Sequence, residues 1–526
     1  MWRLGDPQGN ESSKVKYDIV PYTRGKGLDI GCGPYKTYAH FTGVDNLHHA
    51  HEFGWDMRPD VVSEADKIDI FATQSMDFVF SSHLLEHIEN ADKALKEWWR
   101  VIKPGGYLVL YLPHDELYPK CGTEGANPDH KHDLNPQKVI DWMLTIGSWD
   151  LVVNEVRDGD NGPGEYGNEY SFYQVYKKIS HDKKKPVNRY SHEQIANKTA
   201  CVVRYGGFGD MIQCSTVLPY LKSQGFEVAV MTTPRGKDML KANPYVDKFI
   251  IQDTDQVPNN ELGEYWKVWE KRFDKFINLS ESVEGSMLAI PGRTMYNWPY
   301  EARRKVLNHN YLELTHDIAG IPQSDYQAYF YPTNEEKKWS EYEDKRINPS
   351  CKPVILWSLA GSSVHKTWPW LDQVLARIML ETDCIVVLTG DELCQILEMG
   401  WENEPRVIEK SGIWDIRQSL TFAKHQCDLV IGTETGLLNA VGLEEVNKII
   451  TLSHSSVENL TKHWKNTDNL VPKNLNCYPC HQMHYGFTNC FRDEETGCAE
   501  CQVQITPDMM WDKIKSWYNN RLSEAV

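Results

Sequence analysis

The chain has 526 residues, 41% hydrophobic and 25% charged, which is enough apolar material for several cored domains and excludes a disordered chain, a collagen-like fibre or a small disulfide scaffold. Its 56 Lys and Arg against 74 Asp and Glu leave a formal charge of −18, so generic binding to nucleic acid or anionic membranes is not expected. No apolar run approaches the ~18 residues that span a bilayer, and the start Met1-Trp2-Arg3-Leu4-Gly5 lacks a signal-peptide layout, so a cytoplasmic address is expected.

Along the chain, Gly27–Ile30 reads as a strand ending in the turn Gly31-Cys32-Gly33, and Phe41–Asp45 as a second strand closed by a carboxylate. Asp77–Phe80 is a third strand. Ala91–Ile102 carries apolar residues at helical spacing, Pro104-Gly105-Gly106 breaks it, and Tyr107–Leu112 is again a strand. Trp149–Val156 and Glu169–Tyr176, joined by the Gly-rich Asp158–Gly167, read as a hairpin closing a mostly parallel sheet. The basic polar stretch around Lys183-Lys184-Lys185 places a linker at 179–198.

The α/β alternation then restarts. Ala200–Tyr205 is a strand, Gly206–Asp210 a glycine turn and Met211–Ser223 a helix. Further strands fall at Glu227–Thr232, Pro353–Ser358, Cys384–Leu388, Leu429–Ile431 and Lys448–Leu452. Two successive open-sheet units predict a cleft with ligands at the carboxyl ends of strands. Pro507–Tyr518 reads as an amphipathic helix suited to crossing back onto the first of them.

In the first segment, small residues at 31 and 33 let backbone approach a ligand, and Asp45 offers a carboxylate to ribose hydroxyls. Leu28-Asp29-Ile30-Gly31-Cys32-Gly33-Pro34, Gly43-Val44-Asp45, Ser82-His83-Leu84-Leu85-Glu86-His87-Ile88 and Lys103-Pro104-Gly105-Gly106 resemble class I S-adenosylmethionine-dependent methyltransferases over about residues 24–178. The resemblance implies a Rossmann-like domain at 1–178 that binds S-adenosyl-L-methionine. Gly31 and Gly33 would lie under its methionine part, with Asp29 among the cofactor-binding residues, Asp45 at the ribose, Asp66 at the adenine and His83 beside the sulfonium. Pro34-Tyr35 replaces the third glycine of many members. His83 and His114 are the candidate acceptor-side bases. The histidines at 48, 49, 51, 114, 130 and 132 read as caps and packing residues rather than metal ligands.

In the second segment, Asp210 opens a helix, where an acid either caps it or does chemistry. Leu359–Pro369, with Ser362, Ser363 and Lys366, has the composition of an anion-binding loop, and Thr389-Gly390-Asp391-Glu392 and Gly432–Ala440 follow other strands. Together these resemble the family 9, heptosyltransferase-like glycosyltransferases over about 199–521. The likeness implies a GT-B architecture, with an acceptor-side lobe at 199–340 and a nucleotide-sugar lobe at 341–526. It also implies inverting transfer to a glycan or other carbohydrate. Asp210 would be the general base and Lys366 would neutralise the diphosphate. Thr435, Gly436 and Leu437 would cradle the phosphates, and Glu392 would face the nucleoside. Glu434 and Asn439 depart from the family's usual aspartate and histidine.

Five cysteines crowd the end of the chain. Cys477-x2-Cys480 and Cys498-x2-Cys501 have zinc-ribbon spacing and suggest a structural zinc. The expected whole is a bifunctional enzyme that glycosylates and methylates one glycan. The alternatives are a nucleic-acid or protein acceptor, or one module kept as a non-catalytic scaffold.

Overall fold

The computed structural model describes residues 10–48, 50, 54, 56–159, 169–180, 189–190 and 198–524. Most of the expected linker, and most of the loop between the hairpin strands, lie outside them. The chain forms two compact units. One comprises Met1–Ala196 with Ile250–Asp274, the other Asn197–Phe249 with Lys275–Val526. Among the described residues no helix is long and apolar enough to cross a membrane.

The first unit is built on an eight-stranded sheet. Its strands are β1 (Gly27–Ile30), β2 (Thr42–Asp45), β3 (Val61–Val62), β4 (Met76–Ser82), β5 (Ile102–Pro113), β6 (Trp149–Arg157), β7 (Ser171–Lys178) and β8 (Arg189–Tyr190), in the order β3-β2-β1-β4-β5-β7-β6-β8. β1 pairs in parallel with both β2 and β4, so the strand order reverses around β1 and opens a crevice at the strand tips. β7 is the expected antiparallel strand, lying between β5 and β6. The helix Ala91–Val101 buries Ala91, Ala94, Leu95, Trp98, Trp99 and Val101, a 3.6-residue period facing the sheet core. Pro104-Gly105-Gly106 does not separate helix from strand as expected, because β5 already starts at Ile102.

Residues 250–274 interrupt the lobe expected at 199–340 and belong with the first unit. Complementary polar groups hold them there. Arg24 pairs with Asp253 at 2.8 Å, Arg272 pairs with the buried Asp18, and the Gln256 amide donates to the carbonyl of Val20 at 2.8 Å.

The second unit carries two parallel sheets. In one, Thr199–Val203 pairs with Glu227–Thr232 on one side and Lys275–Asn278 on the other. The other has six strands, with Val354–Ser358 between Ile385–Thr389 and Leu429–Thr433. The helix expected at Met211–Ser223 is split into Phe208–Cys214 and Leu218–Ser223, because Pro219 has no N–H to continue the ladder. The terminal helix runs Pro507–Glu524. Its Met510, Trp511 and Ile514 pack into the core of the six-stranded sheet, so it covers the second half and does not cross back to the first.

Candidate functional site

In the first unit the tips of β1 and β2 form one linked corner. The chain leaves β1 through Gly31 at φ +76°, where a Cβ would lie 2.7 Å from Leu84, so only glycine fits. The Gly31 amide donates to the Val44 carbonyl at 2.8 Å. The Asp45 carboxylate accepts from the amides of Gly33 and Leu47, each at 3.0 Å, tying the two tips together. Asp29 is buried and accepts from the Thr37 amide at 2.9 Å, and burial pushes its carboxyl up to about 6. Asp66 forms an ion pair with Lys93 at 2.9 Å.

Beside this corner, β4 ends at Ser82 and His83 takes the left-handed φ of +48°. Its Nε2 meets the Ser171 hydroxyl at 2.9 Å, and burial pushes the ring down to about 4. The Nδ1 side faces Glu86 at 3.7 Å. Glu86 is fully buried, neither of its carboxyl oxygens has a hydrogen-bond partner, and burial pushes it up to about 8. His114 accepts the Glu116 amide at Nδ1, a local turn contact.

In the second unit two helix starts are pressed together. A Cβ on Gly209 would lie 2.8 Å from that of Asn439, so glycine permits the helix Phe208–Cys214 to pack on Gly436–Val441. The Gln213 amide fixes the contact by donating to the Asn439 carbonyl at 2.7 Å. Asp210 and the 435–437 turn thereby line one cavity of about 1400 Å³, together with Lys366 and Glu392. The six residues expected at the sugar-transfer site are thus brought to one place. The volume exceeds the few hundred to about 1000 Å³ that small-molecule pockets occupy, leaving room for two ligands side by side.

Three groups hold Asp210. Its Oδ2 accepts from the Gly207 amide at 2.8 Å, its Oδ1 accepts from the Tyr311 phenol, and Arg204 lies 3.3 Å from Oδ1. Arg204 is itself buried and paired with Glu284 at 3.1 Å. Lys366 is buried, which lowers its pKa, and the charges of Glu434 and Asp210 oppose that shift. Thr435 caps its helix by accepting from the Leu438 amide at 3.4 Å.

Burial alone would raise the pKa of Glu434. The His454 ring, the nearby Lys366 and the Ser453 hydroxyl outweigh it and hold the carboxylate well below its usual range. Four donors serve it: the Ser453 hydroxyl at 2.5 Å, the Ser455 amide at 2.8 Å, the His454 amide at 3.3 Å and the His454 Nδ1.

Near the end of the chain, Cys477, Cys480, Cys490 and Cys501 line one small cavity with His365 and His484. Cys498 faces a separate cavity bounded by Trp368, Thr496 and Met510. The four thiols brought together are therefore not the four that spacing selects. Among the described residues the groups of three or more potential ligand atoms within 4.8 Å of one another are Glu86/His87/His130 and His365/Glu434/His454, and no cysteine belongs to either. A tetrahedral thiolate set needs S···S distances of about 3.8 Å, so these side chains do not stand in a closed zinc site.

Sequence reasoning missed Tyr311, Arg204 and His454. Tyr311 lies 101 residues from the carboxylate it serves, a distance at which no local pattern gives a signal. Glycine-turn composition found the strand tips but not the side chains that reach them: Tyr311 from another helix, Arg204 from the end of its own strand and His454 from a turn.

A family model described as a methyltransferase domain matches residues 28–110. No curated protein matches the chain. Among solved structures, the chain is similar to the ADP-heptose LPS heptosyltransferase II of E. coli, at 15% identity and TM-score 0.42, over 62% of this chain and 100% of that one. It is also similar to a glycosyl transferase family 9 protein of Veillonella parvula, at 13% identity and TM-score 0.45, over 61% and 97%. A putative methyltransferase of Bacillus halodurans matches at 15% identity and TM-score 0.22, over 32% and 100%. The chain is thus a mixed α/β protein of largely parallel sheets whose residues 28–110 match the model of a methyltransferase domain.

Proposed function

We propose that the chain is a transferase with two activities. The second unit moves a sugar with inversion from a nucleotide-sugar to a carbohydrate hydroxyl. The first, in a module spanning about 1–178, moves a methyl group from S-adenosylmethionine to a hydroxyl, amine or carboxylate of the same glycan. Tethering would raise the concentration of one unit's product at the other.

The observation that carries the glycosyl reading is that Asp210 and Lys366 line the same large cavity. As the acceptor oxygen bonds to the anomeric carbon, its proton passes to the Asp210 carboxylate. The bond from that carbon to the diphosphate breaks, and the Lys366 ammonium stabilises the negative charge on the departing oxygen. The backbone at Thr435, Gly436 and Leu437 would hold the phosphates and Glu392 would face the nucleoside. Arg204, Tyr311 and Gly207 fix the direction of the base.

In the methyltransferase domain, bound S-adenosylmethionine would supply an electrophilic methyl carbon. Gly31 and Gly33 would leave room for its methionine part, the linked carboxylate of Asp45 would accept from the ribose, and Asp66 and His83 would flank adenine and sulfonium. For the cysteine cluster the proposed role is a structural zinc drawn in by Cys477, Cys480, Cys490 and Cys501, with Cys498 outside it.

The test is mass spectrometry of the nucleotide released from mixed nucleotide-sugars in the presence of carbohydrate acceptors. Wild type is expected to release one nucleoside diphosphate and Asp210→Asn to release at least about a hundredfold less. Equal release from both proteins, or none from wild type, would overturn the glycosyl reading.

A further inference from the structure

The first unit contains a buried carboxyl group with nothing to satisfy it. Glu86 has no exposed surface and neither of its oxygens accepts a hydrogen bond. A buried polar group left in this state is costly, so native structures rarely keep one without a use. Imidazoles surround it. The Nδ1 of His83 lies 3.7 Å and the Nε2 of His87 lies 3.9 Å from Glu86 Oε1. Glu86, His87 and His130 have potential ligand atoms all within 4.8 Å of one another. The contrast with the second unit is informative. Glu434 also sits among histidines, but four hydrogen-bond donors already occupy its oxygens.

Backbone contacts position the cluster. The amides of Lys131 and His132 both donate to the Glu86 carbonyl, at 2.7 and 3.2 Å, which holds the His130 segment against residues 85–88. The His132 ring adds a bond to the Ile88 carbonyl at 3.0 Å. His83 keeps a left-handed backbone, unusual for a side-chain-bearing residue, at the same place. Leu84 packs on Gly31, so the cluster borders the corner where the methyl donor is expected.

We propose that Glu86, His87 and His130, with His83 beside them, form a divalent-cation site, and that the ion takes a hydroxyl oxygen of the methyl acceptor as a further ligand. One carboxylate with imidazoles suits Mn²⁺, Fe²⁺, Co²⁺ or Zn²⁺. An ion there supplies the counter-charge that Glu86 lacks and makes the bound hydroxyl more acidic. Its proton leaves to solvent and the oxygen bonds to the donor's methyl carbon. As that bond forms, the carbon–sulfur bond of the sulfonium breaks, with its electron pair staying on sulfur. The hydroxyl part rests on the reading of the first unit as a methyltransferase acting on a glycan, while the ion part does not.

The test titrates the chelator-treated full chain with Mn²⁺, following the free ion by electron paramagnetic resonance. Mn²⁺ is chosen because thiols compete poorly for it. Wild type is expected to bind an equivalent that His130→Ala and Glu86→Gln each weaken at least about tenfold. Mn²⁺ should raise the melting temperature of wild type but not of the variants. The half-buried His130 lies in a loop, so its variant serves if Glu86→Gln does not fold. Equal Mn²⁺ affinity of wild type and His130→Ala would overturn the site. Ion binding with unchanged methylation of hydroxyl acceptors after ion removal would overturn the acceptor role. Ion binding with no methyl transfer to any acceptor would support the site and overturn the methyltransfer reading on which that role rests.

Discussion

The phenol of Tyr311 donates to the same Asp210 oxygen that faces the Arg204 guanidinium, while the other oxygen is held by the Gly207 amide. The carboxylate therefore has one orientation, set by Gly207 and Arg204 from its own turn and by Tyr311 from 101 residues away. Tyr311→Phe keeps the buried ring and removes one donor. A hydrogen bond to a charged group contributes about 1.5–3 kcal/mol, so kcat for sugar transfer is expected to fall about 10- to 100-fold. The donor KM should change little, because the phenol bonds to Asp210, the proposed base, and is assigned no part in holding the nucleotide. Steady-state kinetics beside a melting curve check this, and an unchanged kcat would show that the bond does not aim the base.

Lys366 and Asp210 share the cavity but are assigned opposite tasks, and binding measurements separate them. Lys366→Met is expected to weaken the released nucleoside diphosphate about tenfold or more by calorimetry, as well as slowing transfer. Asp210→Asn is expected to leave that affinity within about threefold of wild type, since the role proposed for Asp210 is to accept the acceptor's proton and not to bind the nucleotide. Equal loss of nucleotide affinity in the two variants would argue that Asp210 supports the donor site structurally.

Two buried carboxyl groups should give the protein opposite pH responses. Glu434 is held below its ordinary 4.5, so its stabilisation is complete above about pH 4.5 and is lost as pH falls toward the folded value. Glu434→Gln should therefore destabilise at pH 7, with the difference from wild type shrinking below about pH 4.5. Asp29 is raised from 3.8 to about 6. Its ionisation costs stability above about pH 6, and native-state protonation recovers that loss between about 6 and 3.8. Asp29→Asn should be more stable than wild type at pH 7.5, by up to about 3 kcal/mol at 1.36 kcal/mol per pKa unit, with the gap closing across that window. Urea melts of both variants against wild type from pH 7.5 to 4 decide each sign.

Strand tips were legible in the sequence because glycine and acidic residues follow short apolar runs there. Gly31, Asp45 and the turn at Thr435 stand where those runs end, and Asp210 in the first turn of the helix after the next glycine turn. What surrounds the tips was not legible. Tyr311 reaches Asp210 from another helix, and His454 reaches Glu434 from the turn after the strand Asn447–Thr451. Residues 250–274 also leave the lobe their position in the chain suggests, because Arg24 and Asp18 supply charges that pair with Asp253 and Arg272. Such pairings depend on tertiary neighbours, which periodicity does not encode.

The cysteines give a case where spacing and position in space select different residues. Cys498 and Cys501 have the two-residue spacing of a metal knuckle, yet Cys501, inside the helix Glu500–Val503, lines one cavity with Cys480 and Cys490, while Cys498 lines the cavity beside Trp368. Burial pushes the Cys480 thiol up to about 12 and that of Cys490 to about 11, so without a metal both stay protonated at neutral pH. A zinc ion would displace those protons and draw the sulfurs toward the ~3.8 Å spacing of a tetrahedral set. Cys490→Ser is then expected to lower the zinc content measured by plasma mass spectrometry and to lower the melting temperature. Cys498→Ser should leave both unchanged. The reverse pattern would restore the quartet chosen by spacing, and equal zinc-free behaviour of wild type and both variants would make the cavity a cluster of reduced thiols.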